Sequence, residues 1–242
     1  MKRAVVLLSG GLDSTTTLFW AKNKGYKTYC LIFDYGQRHR REITSAKEIA
    51  RYAGCKYQVI KISLPWKGSS LLDKKISIPQ SANAAFGRHP AKGGGWQTGG
   101  APAKAGRANV IPSTYVPARN TIFLSFALSY AEAIGADSIF IGANAVDFSG
   151  YPDCRPGYFK IFNQLALVAT KKGVIGKKIK IFTPLIYKTK TAIVRAALNL
   201  GVPLELTWSC YAGGKKPCGA CDSCVLRKKG FLALQMEDPA YA

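Results

Sequence analysis

The sequence predicts an α/β fold with a doubly wound parallel sheet, and three observations carry that expectation. Short apolar runs alternate with helical stretches along the first half of the chain. Glycines stand where those helices must end, and a Ser-Gly-Gly turn joins the first run to the first helix. Strands that alternate with helices cannot pair as hairpins, so they form a parallel sheet covered on both faces.

Ala4–Leu8 is an apolar run that reads as the first strand, and a helix is expected from about Asp13 to Lys24 with Gly25 as its left-handed cap. Lys27–Phe33 is the second strand. Arg40–Ala53 is the second helix, with Ile43, Ala46, Ile49 and Ala50 on one face and Gly54 beyond its end. Tyr57–Ile62 supplies a third strand. An alanine-rich helix is expected over Thr121–Ile134, ended by Gly135, and Ser138–Ile141 is a short buried strand. Tyr158–Lys171 and Lys188–Leu200 read as later helices, with Ile179–Phe182 as a strand between them. Between Pro79 and Pro112 glycines, prolines, Arg88, Lys92, Lys104 and Arg107 replace the apolar pattern, which reads as a long basic excursion, a lid or a surface insertion.

The chain has 242 residues, of which 48% are hydrophobic, enough for one substantial core. No apolar run approaches a membrane span. The apolar start is cut off by Ser9-Gly10-Gly11 and Asp13, too early for a secretory segment, so a cytoplasmic enzyme without membrane contact is expected. The net charge of +22 fits a surface that binds nucleic acid, or one adapted to unusual solution conditions or anionic ligands. Its Lys and Arg are scattered and form no long block, so nucleic-acid binding is possible and not required.

Ser9-Gly10-Gly11-Leu12-Asp13-Ser14 lies between the first strand and the first helix. Paired glycines allow a sharp turn and a close approach to a ligand. The free N–H groups at the helix start, with its positive dipole end, suit a polyanion. Leu8, Ser9, Gly10, Gly11, Leu12, Asp13, Ser14 and Thr15 are therefore the expected phosphate-binding residues. Asp13 reads as a Mg²⁺ ligand or as a first-turn acid that favours the helix dipole. The turn is neither a Walker loop nor a dinucleotide fingerprint. It resembles the pyrophosphate loop of the N-type ATP pyrophosphatases, in which a substrate oxygen attacks the α-phosphate of ATP.

Seven cysteines are present, and Cys210, Cys218, Cys221 and Cys224 fall within fifteen residues. Spacings of x₇, x₂ and x₂ can set four thiolates around one tetrahedral centre, and a closed set of four soft ligands suits one structural Zn²⁺ per chain. An iron–sulfur cluster and a redox Cys-x-x-Cys are the competing readings. Cys30 and Cys55 read as small apolar residues, whereas Cys154 lies in a polar stretch and stays open.

Four further stretches, Phe33–Glu42, Thr114–Thr121, Ile141–Pro156 and Leu206–Tyr211, resemble the 7-cyano-7-deazaguanine synthases of the queuosine and archaeosine pathways. The resemblance runs from the phosphate loop to Phe231, and only the excursion from about Gln80 to Val110 is longer than the family pattern. It implies a Rossmann-like, adenine nucleotide alpha hydrolase-like domain over 1–205 and a zinc-binding module over 206–242. It implies ATP, Mg²⁺, ammonia and 7-carboxy-7-deazaguanine as ligands, a nitrile product, and a homodimer. It assigns Lys171 and Lys190 to the ATP phosphates, and Arg119 to similar work, beside Asp13. Arg38, Asn144, Asp147, Asp153 and Arg155 become candidates for gripping the deazaguanine or the nucleotide. Ammonia from solution is expected, since only His39 and His89 exist to serve a glutaminase pair. A tRNA-modifying thiolase is the rival enzyme, predicting salt-sensitive tRNA binding. A zinc-ribbon nucleic-acid module that turns over no ATP is the non-enzymatic rival.

Overall fold

The computed structural model describes residues 1–38, 40–80, 111–146 and 150–241. Residues 81–110 of the basic excursion, which include His89, lie outside the described residues, as do His39 and Asp147. Five parallel strands, β1 (Arg3–Leu7), β2 (Lys27–Asp34), β3 (Lys56–Lys61), β4 (Ser138–Ile141) and β5 (Lys180–Phe182), form one sheet in the order β3-β2-β1-β4-β5. The doubly wound expectation holds.

The period of two in a strand explains the layering. Ala4, Val6 and Leu8 face one side with Cys30, Ile32 and Phe140, against α1 (Leu12–Asn23) and α2 (Arg41–Tyr52). Val5 and Leu7 face the other side with Leu31, Phe33, Ile139 and Ile141, against α3 (Arg119–Ala133) and α4 (Pro156–Val168). With both faces covered, the central strands read as continuous apolar runs. Gly25, Gly54 and Gly135 all have positive φ and end α1, α2 and α3, as the sequence requires.

Two later elements differ from expectation. The helix expected to run to Lys171 stops at Val168, and a single turn, α5 (Lys171–Val174), restarts after it. Thr170 causes the break: its hydroxyl donates to the Ala166 carbonyl at 2.8 Å and accepts from the Gly173 N–H at 3.0 Å, capping a new turn. A further helix, α7 (Asp222–Leu232), was not anticipated. It packs on α6 (Lys190–Asn199), where Phe231 joins Ile193, Val194 and Ala197 in a cluster that reaches Leu12 of α1.

The chain winds from β1 outward to β3, then crosses back to place β4 on the other side of β1. That reversal opens a crevice at the carboxyl ends of β1 and β4, the place where open α/β sheets bind ligands. No helix of the described residues is long and apolar enough to cross a membrane.

Candidate active site

A cavity of about 230 Å³ occupies that crevice. Its first wall is the β1–α1 turn, where Leu8, Ser9, Gly11, Leu12, Asp13 and Ser14 line it. Gly10 has φ +81°, and a Cβ there would stand 2.4 Å from the Glu42 carbonyl oxygen and 2.7 Å from the Ala46 nitrogen. Only glycine lets the turn lie on α2 in this way. No side chain caps α1 at Gly11. The Ser14 and Thr15 hydroxyls both donate to the Gly11 carbonyl, at 3.1 and 2.8 Å, so the hydroxyls brace the turn and leave the first N–H groups of α1 without a side-chain cap. Gly10 and Thr15 thus shape the turn from behind and do not line the cavity.

Gly142, at the end of β4, closes the same wall. A Cβ there would come 2.8 Å from the Ser14 nitrogen and 2.9 Å from the Asp13 carbonyl. The absence of a side chain lets β4 end against the start of α1.

Lys190, the first residue of α6, reaches across 177 positions of sequence to Asp13, with Nζ 2.8 and 2.9 Å from the two carboxylate oxygens. Both side chains are mostly buried. Thr189 caps α6, and Gly230 of α7 lies so close to the Lys190 stem that a Cβ would meet Lys190 Cγ at 2.8 Å. The lysine is therefore fixed by two helices and set beside an anion-accepting turn. Asn144 holds the approach to it: its side-chain amide donates to the Leu185 and Lys188 carbonyls at 3.2 and 2.5 Å, and its oxygen accepts from the Val146 N–H.

A second end of the cavity, built from other segments, is aromatic. Phe33 and Phe123 stack with ring centres 3.9 Å apart, and Tyr35 meets Phe123 edge-on. Arg119 enters here from the first turn of α3. Ala118 before it takes a left-handed conformation at φ +50°, unusual for a residue with a Cβ. Arg119 donates to the Tyr35 hydroxyl at 3.1 Å and lies over the Tyr35 and Phe123 rings. Burial works against its charge, but Tyr35, Tyr151 and Asp153 outweigh it and raise the guanidinium pKa. Burial also pushes the Tyr35 phenol up to about 12 and the Cys154 thiol to about 12, so both stay neutral beside the cation.

Four residues expected at the ligand stand elsewhere. Lys171 is exposed in α5, whose next residue, Lys172, binds the Gly135 and Ala136 carbonyls and Asp137. Those groups precede β4, which puts Lys171 at the end of the sheet opposite the phosphate loop. Arg38 donates to the carbonyls of Ser70, Lys74 and Ile76 and clamps a loop instead of lining the cavity. Asp153 is buried and accepts the Asn120 N–H at 3.0 Å, capping the first turn of α3 behind Arg119. Arg155 begins α4 with an exposed side chain and does not line the cavity. Spacing within a motif could not separate these roles from contact with ligand.

The Cys210, Cys218, Cys221 and Cys224 sulfurs all lie within 4.8 Å of one another. Tetrahedral zinc with bonds of about 2.3 Å needs sulfurs about 3.8 Å apart, and Cys218 and Cys224 are at 3.9 Å. The Ala212 and Cys218 N–H groups donate to the Cys210 sulfur at 3.3 Å, and the Cys221 N–H donates to that of Cys218 at 3.4 Å. Such donors stabilise thiolates bound to a cation, so the donor set fits a structural metal. Beside it, Arg227 forms a buried bidentate pair with Asp238 at 2.7 and 2.8 Å and also donates to the Thr207 hydroxyl at 2.6 Å. Trp208, Ser209, Tyr211 and Ser223, from the flanks of the cysteine cluster, complete the cavity wall. None of these four is among the ligand residues expected from sequence, although Trp208, Ser209 and Tyr211 fall within the stretch Leu206–Tyr211.

The family described as queuosine biosynthesis protein QueC matches residues 3–235. The 7-cyano-7-deazaguanine synthase of Thermoplasma acidophilum is 48% identical over 238 residues, spanning 98% of this chain and 91% of the relative. That of Trichormus variabilis is 49% identical over 239 residues, spanning 98% and 96%. Among solved structures, NMN synthetase from Francisella tularensis aligns at 13% identity with a TM-score of 0.48, over 98% of this chain and 78% of that one. Matched along nearly its whole length, the chain belongs to the QueC family of queuosine biosynthesis proteins.

Proposed function

We propose that this chain is a 7-cyano-7-deazaguanine synthase, which converts 7-carboxy-7-deazaguanine and ammonia into the nitrile with consumption of ATP. The observation that carries this reading is one cavity with two unlike ends. An uncapped helix start beside Lys190 suits triphosphate, and an aromatic end holding Arg119 suits a flat anionic heterocycle.

The substrate carboxylate attacks the α-phosphorus, and pyrophosphate leaves. Ammonia attacks the acyl carbon, loses a proton and expels AMP, giving the amide. A second ATP takes up the amide oxygen in the same way, and loss of AMP with the remaining N–H protons leaves the nitrile. In the turn from Ser9 to Ser14, the N–H groups at the start of α1 serve the phosphates while those of Ser9 and Gly11 bind the Ser14 and Ser9 hydroxyls, and Lys190 adds a point charge where the leaving pyrophosphate gathers its own. Mg²⁺ accompanying ATP would meet the Asp13 carboxylate and neutralise phosphate charge. Asn144 keeps the loop before Lys190 in place. Arg119, in a site too apolar to solvate an ion, is matched to the carboxylate of the heterocycle. Asp153 supports that arginine through α3.

In the same reading the four cysteines hold one structural Zn²⁺, and the segment 206–242 is the metal-bearing module of a nucleotide-binding domain that ends near 205. Ammonia comes from solution, and the enzyme works as a cytoplasmic homodimer. The test supplies purified protein with 7-carboxy-7-deazaguanine, ATP, Mg²⁺ and ammonium and follows products by mass spectrometry. Amide followed by nitrile is expected, and the absence of both would overturn the reading.

A further inference from the structure

We propose that Trp208 is a positioning residue that couples the four-cysteine centre to the phosphate loop, so that metal and ATP strengthen each other's binding. The inference rests on the nucleotide reading of the loop given above. Trp208 is almost wholly buried and makes contacts in three directions. Its backbone N–H donates to the Gly10 carbonyl at 2.8 Å, and its own carbonyl oxygen lies against Gly11. Its indole N–H donates at 3.0 Å to the carbonyl of Cys210, a thiolate of the cluster. Its ring lies under the Arg41 guanidinium, 4.5 Å away, at the start of α2.

Gly10 is the residue whose left-handed turn and lack of Cβ fix the loop against α2. One residue therefore holds the crowded point of the phosphate loop by its backbone and the metal cluster by its side chain. When the cluster is closed around a cation, the Cys210 backbone is fixed, and the indole N–H fixes Trp208 in turn. Without that closure the Gly10 carbonyl loses a rigid donor. Coupling between two binding equilibria is reciprocal, so nucleotide in the loop must also tighten the hold on the metal; because the Cys210 backbone has to move before the cluster opens, that tightening is expected in the release step.

The experiment uses the metal-loaded enzyme. Release of metal to a chromogenic chelator is timed with and without a non-hydrolysable ATP analogue and Mg²⁺. In the wild type the analogue is expected to slow release about fivefold or more. Trp208→Phe keeps the ring and removes the N–H donor. It should carry the same metal content, lose most of this protection, and raise the KM for ATP about fivefold while kcat falls by less. Equal protection in both proteins, or an unchanged KM, would overturn the coupling and leave the nucleotide reading intact. A wild type that binds no ATP at all overturns both. Should the variant fail to fold, the wild-type release rates decide alone, and no slowing by the analogue refutes the proposal.

Discussion

The two ends of the cavity are built by different means. The phosphate end is made of backbone: one contiguous turn, two glycines that tolerate no Cβ, and the start of a helix. The aromatic end is made of side chains from separated segments, with Phe33 near the end of β2 and Tyr35 just after it, Arg119 and Phe123 on α3, and Tyr151 and Cys154 before α4. Backbone recognition of phosphate needs a local geometry and so leaves a local signature. Side-chain recognition needs only that distant residues converge, which no spacing records. Lys190 stands between the two cases: it acts at the backbone-built end, yet comes from a helix far along the chain.

Changes at each end should therefore fail differently. The largest effect is expected from Lys190→Ala, which leaves a mostly buried Asp13 beside the phosphates without its cation. It should lower kcat/KM for ATP by about 10²–10³ (~3–4 kcal/mol), with the fold retained in a thermal melt. Arg119→Leu should raise the KM for the carboxylate substrate by about tenfold or more (on the order of 1.5–3 kcal/mol for a lost charged hydrogen bond) while the KM for ATP hardly moves. Equal losses for the two substrates would show that the ends are not separate.

Gly142→Ala acts through packing. Its Cβ would press on the start of α1 at 2.8 Å, destabilising by about 1–3 kcal/mol. The melting temperature should fall by a few degrees, and ATP binding should weaken more than binding of the heterocycle. The smallest effect concerns thiol chemistry. Burial holds Cys154 as a neutral thiol, whereas hydrogen bonds from Cys30 and Thr28 and the nearby Lys22 lower half-buried Cys55 to about 6 against burial. At pH 7.5, well above the Cys55 value and well below that of Cys154, iodoacetamide should label Cys55 first, as peptide mapping will show.

The same distinction explains how much was legible in the sequence. The strands of the sheet and the glycine-ended helices α1–α3 followed from period and punctuation, to within a residue or two at most ends. Thr170 escaped because a capping hydroxyl inside an apolar stretch looks like any other helical residue until its partners are known. The phosphate turn and the cysteine cluster announced themselves, because their ligand atoms are close in sequence. Arg38, Asp153 and Arg155 shared motifs with cavity residues, but their side chains point to loop carbonyls, a helix start and solvent. Lys171 stands apart from the cavity for a topological reason, since α5 is tied through Lys172 to the residues that precede β4. Trp208 was visible as a residue and silent as a connector, because its role lies in a hydrogen bond to a backbone carbonyl.

The claim that the phosphate end adenylates an acid held by the aromatic end is tested most directly with an oxygen label. Substrate carrying ¹⁸O in its carboxylate is turned over with ATP, Mg²⁺ and ammonium, and the nucleotide products are weighed. Attack on the α-phosphorus puts the label in AMP, with unlabelled pyrophosphate and no label in the nitrile. Label in inorganic phosphate, with ADP as the other product, would mean attack at the γ-phosphorus and would contradict the account.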